Sequence, residues 1–430
     1  MNNVVLKSLS AENFVAFADK VSFSTHIDSA KRDNTSGTFT VGDYSFNKVS
    51  FIYGANGSGK TYFCKIIKEI QRLISWSSLI NSTAQFLSLP HFKGIDAPIK
   101  KFAFDETYAN LPSKFSIELM LDNTVYFYEF SVMDKIILSE KLTKKFRRTE
   151  TILERTSSSY KDIVLRSEFK EFEQMKHVVK EEALCLSVAA IVNNNLAKKL
   201  VTAIQNIQVV NMTAAKLNPT NSIDSFSEER ISTYANILRK ADPTIRTMHV
   251  LCSEEEVARQ KIDTDDFENR EVIAKKMTVG IETEHAVYKD GEETISKPIG
   301  LFADESLGTV KLFTILPYLY DVLEEGGILV VDEIENGLHL SLVREIIQLF
   351  LSEESNPHHA QLICTSHQPL LVDGDFRRDQ VWITSKDSFG KSSLHRMSEL
   401  KTSHAKTNLY KKIIENAFGC NPDKFFQDNI

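Results

Sequence analysis

The sequence predicts a mixed α/β fold organised on a parallel sheet, and three observations carry that expectation. A glycine-rich loop, Gly54–Thr61, lies between a short β-rich run (KVSFIY, residues 48–53) and a helical stretch from about Thr61 to Ile80. In the last third of the chain the apolar runs GGILVVDE (326–333) and QLICTS (361–366) alternate with helical segments at 310–323 and 339–352. Short apolar runs between helices are the pattern of buried parallel strands. Residues 112–146 read instead as an antiparallel meander: SKFSIELML, a turn at Asp122-Asn123, VYFYEFSV, then KIILSEKLTKKF.

The remaining elements follow in order. Residues 3–25 read as strand with a turn, and 29–45 as a polar loop or hairpin around Gly37 and Gly42. Residues 165–210 and 225–262 lack strand signals and are expected to be helical. The expected division is 1–150 with the glycine-rich loop and the meander, 151–270 as an inserted helical side lobe, and 271–430 as a second α/β part. A chain of 430 residues has room for this.

Composition narrows the function classes. With 42% hydrophobic and 25% charged residues the chain is neither disordered nor fibrous. No apolar run approaches the roughly 20 residues that span a bilayer. The first residues, MNNVVLKSLSAENFVAF, lack the apolar core of a secretion signal. A cytoplasmic protein without membrane contact is therefore expected. The five cysteines are far apart and form no CxxC pair, which speaks against a zinc site and fits a reducing compartment. A net charge of −7 supplies no general attraction to nucleic acid, so DNA contact would need a local patch. One basic run exists, Lys141-Leu142-Thr143-Lys144-Lys145-Phe146-Arg147-Arg148, and its plain reading is a solvated hairpin face.

The strongest motif is Gly54-Ala55-Asn56-Gly57-Ser58-Gly59-Lys60-Thr61, which matches G-x-x-x-x-G-K-[ST] in its required strand–loop–helix setting. Glycines let backbone N–H groups turn inward around phosphate oxygens, and the helix N-terminus adds a favourable dipole. Lys60 is placed to reach the β- and γ-phosphates, and the Thr61 hydroxyl to bind Mg2+.

Ile328-Leu329-Val330-Val331-Asp332-Glu333 puts two carboxylates at the end of a buried strand, where ligands of open α/β sheets sit. Asp332 is a candidate Mg2+ ligand and Glu333 a candidate for orienting or deprotonating an attacking water. Thr365-Ser366-His367 ends the next strand, and His367 is placed to donate to a γ-phosphate. Asp304-Glu305-Ser306-Leu307-Gly308-Thr309 precedes a helix that Ser306 is suited to cap. Its sharper reading is a second anion site formed by Ser306 and the N–H groups around Gly308.

The order of phosphate loop, long middle, Ser-x-Gly turn, hydrophobic-Asp-Glu and His is similar to that of ATP-binding-cassette ATPases of the SMC and RecF type. The opening Leu9-Ser10-Ala11-Glu12-Asn13-Phe14-Val15-Ala16-Phe17 resembles their first strand. The resemblance implies a P-loop NTPase of ABC/SMC-head type. It also implies ATP sandwiched head to tail between two copies, with Ser306 and Gly308 facing the γ-phosphate held by Lys60 of the other copy. Two features depart from the pattern: the turn reads Ser-Leu-Gly-Thr rather than Leu-Ser-Gly-Gly-Gln, and no Gln stands clearly in the loop where Phe104-Asp105 falls.

Three stretches resemble the RloA/AbiLi-like ATPases of bacterial anti-phage loci, with PARIS- and Septu-type ATPases as relatives. They are Glu305–Thr309 running into Leu312-Phe313 and Leu316-Pro317, Asp332–His339, and Thr365-Ser366-His367 followed by Arg377–Trp382. Enzymes of the overcoming-lysogenization-defect class fuse a Toprim nuclease after the ATPase, but only 63 residues follow His367 here. The resemblance thus implies a scaffold and sensor that hydrolyses ATP as a homodimer or higher homo-oligomer. It would control a separate effector, a Toprim/RloB-like nuclease, in response to a phage-encoded trigger. Two alternatives use the same residues: a RecF/SMC-like repair ATPase that clamps DNA in its ATP-bound dimer, and a nucleotide-gated interaction module with negligible hydrolysis.

Overall fold

The computed structural model describes residues 4–27, 37–79, 94–213, 226–264, 267–372 and 376–400. Its contacts divide the chain into two units, one of residues 1–213 with 321–430 and one of residues 214–320.

The first unit holds two large sheets. Strands β1 (Val5–Glu12) and β2 (Val21–Ser24) are followed by a small hairpin of β3 (Thr38–Val41) and β4 (Tyr44–Asn47). Strand β5 (Val49–Gly54) comes next, and helix α1 (Lys60–Leu79) begins six residues after it ends. The expected meander is present as β6 (Ser113–Leu121), β7 (Thr124–Met133) and β8 (Ile136–Lys145), continued by β9 (Thr149–Arg155) and β10 (Ile163–Leu165). Asp122, Asn123 and Asp134, all at positive φ, make the two tight turns. These strands form an antiparallel sheet of order β10-β9-β8-β7-β6-β1-β2.

The second sheet carries the site. It runs β11 (Gln208–Asn211), β15 (Ile328–Asp332), β16 (Gln361–Ser366), β5, β17 (Val381–Lys386), β18 (Ser392–Arg396), and the first five strands are parallel. Every residue of β5, β15 and β16 is buried, as strands covered on both faces must be. One hydrophobic core spans the unit, from Leu9 and Ile117 of the antiparallel sheet through Ile67 and Ile70 of α1 to Val330 and Ile363. Phe23 bridges the layers, its ring centroid 5.0 Å from that of Phe63, edge to face, and 5.0 Å from that of Trp382 at a tilt. Gln361 ties the sheets together: its Oε1 accepts from the Leu6 N–H at 2.8 Å, and its amide donates to the Leu6 carbonyl and the Thr25 hydroxyl.

The helical expectation for 165–210 holds only in part. Residues Ser167–Val178 are 3-10 turns, α2 (Cys185–Ile191) and α3 (Asn195–Gln205) are α-helical, and Gln208–Asn211 is β11. Glu140 is buried beneath α2, accepting from the N–H groups of Cys185 and Leu186 and from the Tyr128 hydroxyl. Burial pushes its carboxyl up against the pull of these bonds.

The second unit corrects the reading of 225–262. Only α4 (Glu228–Ala241), capped by Ser227, is helical there. Residues from Ile245 to Thr264 form β12, paired antiparallel with β13 (Phe267–Lys289), and β14 (Glu292–Gly300) adds to β13 over Glu282–Lys289. The run Glu254-Glu255-Glu256 through Lys261 is rich in good helix formers. Helix propensity is a weak prior, and pairing with a strand on the far side of a turn overrides it. Helix α5 (Leu307–Glu325) follows; within this unit its Phe313 packs against Tyr234 of α4 at 6.1 Å between ring centroids. Helix α6 (Leu340–Leu351) then connects β15 to β16.

The basic run ends β8. Lys141 pairs with Glu154, and Lys144 with Glu150 and Glu168. Exposed pairs of this kind contribute little to stability, and here they answer the basic charge with acid. Among the described residues no helix is long and apolar enough to cross a membrane.

Ile363 lies fully buried at the centre of the parallel sheet. Replacing it by Ala should lower unfolding free energy by about 2–5 kcal/mol in urea titration.

Candidate functional site

Strand register assembles the site before any side chain is considered. Asn211 pairs with Asp332, Val331 with Cys364, Ser366 with Tyr53, and Gly54 with Thr384. Because these strands are parallel, the carboxyl ends of β11, β15, β16, β5 and β17 share one edge, the edge where open α/β sheets bind ligands.

The glycine-rich loop leaves that edge and enters α1. Gly57 and Gly59 have φ of 77° and 119°, conformations that side chains disfavour. A Cβ on Gly54 would stand 2.2 Å from Thr384 Oγ1 and 2.6 Å from Ser58 Oγ, two hydroxyls themselves 2.6 Å apart. So close packing dictates the first glycine, and backbone twist the other two. Lys60 is 5% exposed and its ammonium donates to the carbonyls of Gly54 and Ala55, at 2.6 and 2.9 Å. Burial lowers its proton affinity, while Glu333, Glu335 and Asp332 oppose that shift.

Asp332 is 2% exposed. Its Oδ1 accepts from Thr365 Oγ1 at 2.7 Å and its Oδ2 from Asn211 Nδ2 at 3.2 Å. Burial raises its carboxyl above the usual range despite these bonds and the nearby Lys60. Glu333 leaves the strand at φ 54°, a left-handed conformation costing a non-glycine residue roughly 1–2 kcal/mol. Its N–H donates to Thr365 Oγ1 at 2.8 Å. Its carboxylate accepts from Thr213 Oγ1 at 2.9 Å and Asn336 Nδ2 at 3.0 Å. Burial acts to raise Glu333, but these bonds and the charges of His367 and Lys60 outweigh it, so the group sits below the ordinary range.

His367 follows β16. Glu335, 7% exposed in its side chain, accepts from the His367 N–H at 2.7 Å and lies 2.9 Å from its Nδ1. One carboxylate thus fixes both the backbone and the ring orientation of His367. The other oxygen of Glu335 is buried without a hydrogen-bond partner.

The structure therefore brings Gly54, Ala55, Asn56, Gly57, Ser58, Gly59, Lys60, Thr61, Asp332, Glu333 and His367 to one edge. Ser306 and Gly308 belong to the second unit. There Ser306 Oγ accepts from the Thr309 N–H at 3.2 Å and so caps α5. Phe104 is 68% exposed and Asp105 caps the short turn Glu106–Asn110. Four residues of the site carry no sequence signal of their own. Asn211 ends, and Thr213 follows, a strand hidden by its helical surroundings, and Thr384 and Glu335 are placed by register and by a turn.

This donor set fits a phosphate chain with a hard cation. A glycine cradle that a Cβ would fill, a buried ammonium and a helix N-terminus suit the anion, and the Thr61 hydroxyl with the Asp332 carboxylate offers oxygen ligands for Mg2+. Fold and site together define a P-loop nucleotide-binding core. The family described as "AAA domain, putative AbiEii toxin, Type IV TA system" matches residues 49–175 and 257–373, more than half of the chain, and the chain belongs to that family. No curated protein matches it. Among solved structures it is similar to the SMC head domain from Thermotoga maritima, at 11% identity over 92% of this chain and 99% of that one, with a TM-score of 0.36. The Smc head domain with a coiled coil and joint from Pyrococcus yayanosii gives 11%, 96% and 99%, with a TM-score of 0.40. The recombination mediator protein RecF gives 11%, 91% and 98%, with a TM-score of 0.35.

The raised carboxyl of Asp332 sets a sign. Its ionised form is disfavoured in the folded chain, so its cost to stability grows as pH rises through the raised value. Near neutral pH, Asp332→Asn should therefore melt at or above the wild-type temperature without nucleotide, yet lose the stabilisation that Mg-ATP gives the wild type in thermal unfolding.

Proposed function

We propose that this chain is an ATPase that binds Mg-ATP at Gly54–Thr61 and hydrolyses it where two copies meet head to tail. The observation that carries the reading is the shared carboxyl edge: the buried Asp332, held by Thr365 and Asn211, lies on it with the buried Lys60 of the glycine loop and with Glu333. Lys60 binds the β- and γ-phosphates. Thr61 and Asp332 hold Mg2+, which when bound neutralises charge developing on the phosphates. Glu333, held by Thr213 and Asn336, orients or deprotonates the attacking water; His367, held by Glu335, donates to the γ-phosphate. Ser306 and Gly308 of the second copy close the site from the opposite side.

On this reading the stretches 1–150 and 271–430 supply most of an ATPase head, residues 151–213 add β10 and β11 with Asn211 and Thr213 to it, and the expected side lobe for docking narrows from 151–270 to its part beyond 213. The chain then acts as scaffold and sensor for a separate effector, a Toprim/RloB-like nuclease, in anti-phage defence of the RloA/AbiLi-like kind with a phage-encoded trigger. A DNA-clamping role is disfavoured by the net charge of −7 and by the acids that answer Lys141 and Lys144.

Glu333→Gln should bind ATP, turn over at least 100-fold more slowly and accumulate as a dimer in light scattering, in keeping with loss of one catalytic group. A variant that stays monomeric with ATP and hydrolyses at the wild-type rate would overturn the assignment.

A further inference from the structure

The residue immediately before Ser306 is anchored in a way that neither its family nor the ATPase reading accounts for. Glu305 is acidic yet its side chain is only 5% exposed. Its Oε1 lies 2.6 Å from His285 Nε2 and accepts from the Thr283 hydroxyl, both on β13. His285 is itself 13% exposed, and its Nδ1 lies 2.8 Å from Thr244 Oγ1. Thr244 in turn contacts Asp242 Oδ1 through its N–H and its hydroxyl, at 2.9 and 2.7 Å.

His285 makes one contact from each ring nitrogen, Nδ1 to the Thr244 hydroxyl and Nε2 to the Glu305 carboxyl, and so reaches from the end of α4 to the foot of the Ser306 turn. Beyond that anchor the turn is open: Ser306 and Leu307 are exposed, Leu307 to 59%, and α5 begins at once. One buried pair thus sets where the backbone enters Ser306. A buried carboxylate that loses its partner must move toward water, and Ser306 would move with it.

We propose that His285 is a positioning residue of the composite site: through Glu305 it fixes Ser306 and Gly308 in the orientation that meets the γ-phosphate bound to a second copy. This rests on the head-to-tail reading above. The role is exerted in trans. Loss of His285 leaves a chain's own phosphate loop able to bind ATP but spoils the turn it lends to its partner.

Mixing full-length chains tests this. Lys60→Ala, Ser306→Glu and His285→Ala should each lower turnover at least tenfold alone, while His285→Ala binds ATP with wild-type affinity. Mixing Lys60→Ala with His285→Ala should restore about a quarter of the wild-type rate, since half of randomly paired two-fold dimers are mixed and each has one intact site. Mixing Lys60→Ala with Ser306→Glu should restore the same fraction. If the Ser306→Glu mixture recovers and the His285→Ala mixture does not, His285 acts only within its own chain and the proposal falls. Wild-type turnover by His285→Ala alone also overturns it. If the Ser306→Glu mixture fails, the head-to-tail reading itself is wrong. Should His285→Ala not bind ATP, Glu305→Gln takes its place, since the amide keeps the volume and a bond to Thr283; if that chain also fails to bind ATP, the pair is a folding element and the proposal is rejected.

Discussion

Asp332 and Lys60 place opposite charges in a nearly waterless seam at the carboxyl edge of the parallel sheet, and the arrangement around them follows from that constraint. Neither charge is well solvated, and burial shifts each toward its neutral form. The fold meets this cost locally. Thr365 and Asn211 flank Asp332 from the strands on either side, and the loop's own carbonyls receive Lys60. A Mg2+–phosphate group is the natural counterpart of such a seam, supplying positive charge to the acid and negative charge to the amine. The same seam explains why every residue of β5, β15 and β16 is buried, with Asp332 ending β15: a misplaced strand would slide that charge into the core.

Register then carries the chemistry outward. Thr365 both donates to Asp332 and accepts from the Glu333 N–H, so one hydroxyl couples the buried acid to the turn that carries the second acid. The left-handed backbone at Glu333 turns its carboxylate toward Thr213 and Asn336. Glu335 holds His367 by two contacts, which makes three acids in four residues serve three separate tasks. In the second unit a comparable economy appears at Glu305, where a buried carboxylate anchors an exposed turn.

Much of this was legible in the residues. The phosphate loop announced itself because its glycines, lysine and threonine are demanded by local geometry. Asp332 and Glu333 stood out because two acids end an apolar run at the edge where open α/β sheets bind ligands, in a chain that carries a phosphate loop upstream. The meander at 113–145 was visible through alternation and its Asp122-Asn123 turn. What stayed hidden depends on distant partners. The strand at 208–211 is four residues long and lies beside helices, so Asn211 and Thr213 had no pattern to betray them. The run Glu254–Lys261 within β12 is rich in residues that favour helices in isolation, and only pairing with β13 makes it a strand. Glu335 and Thr384 acquire their roles from turns and register, which no single segment encodes.

The dependence of ATP turnover per chain on protein concentration tests the proposed shared site most directly. If the triphosphate is enclosed by two copies, the specific rate rises from near zero in dilute solution and saturates as the chains pair. A rate per chain that is the same at every concentration, down to dilutions at which light scattering finds monomers alone with ATP present, would contradict the account.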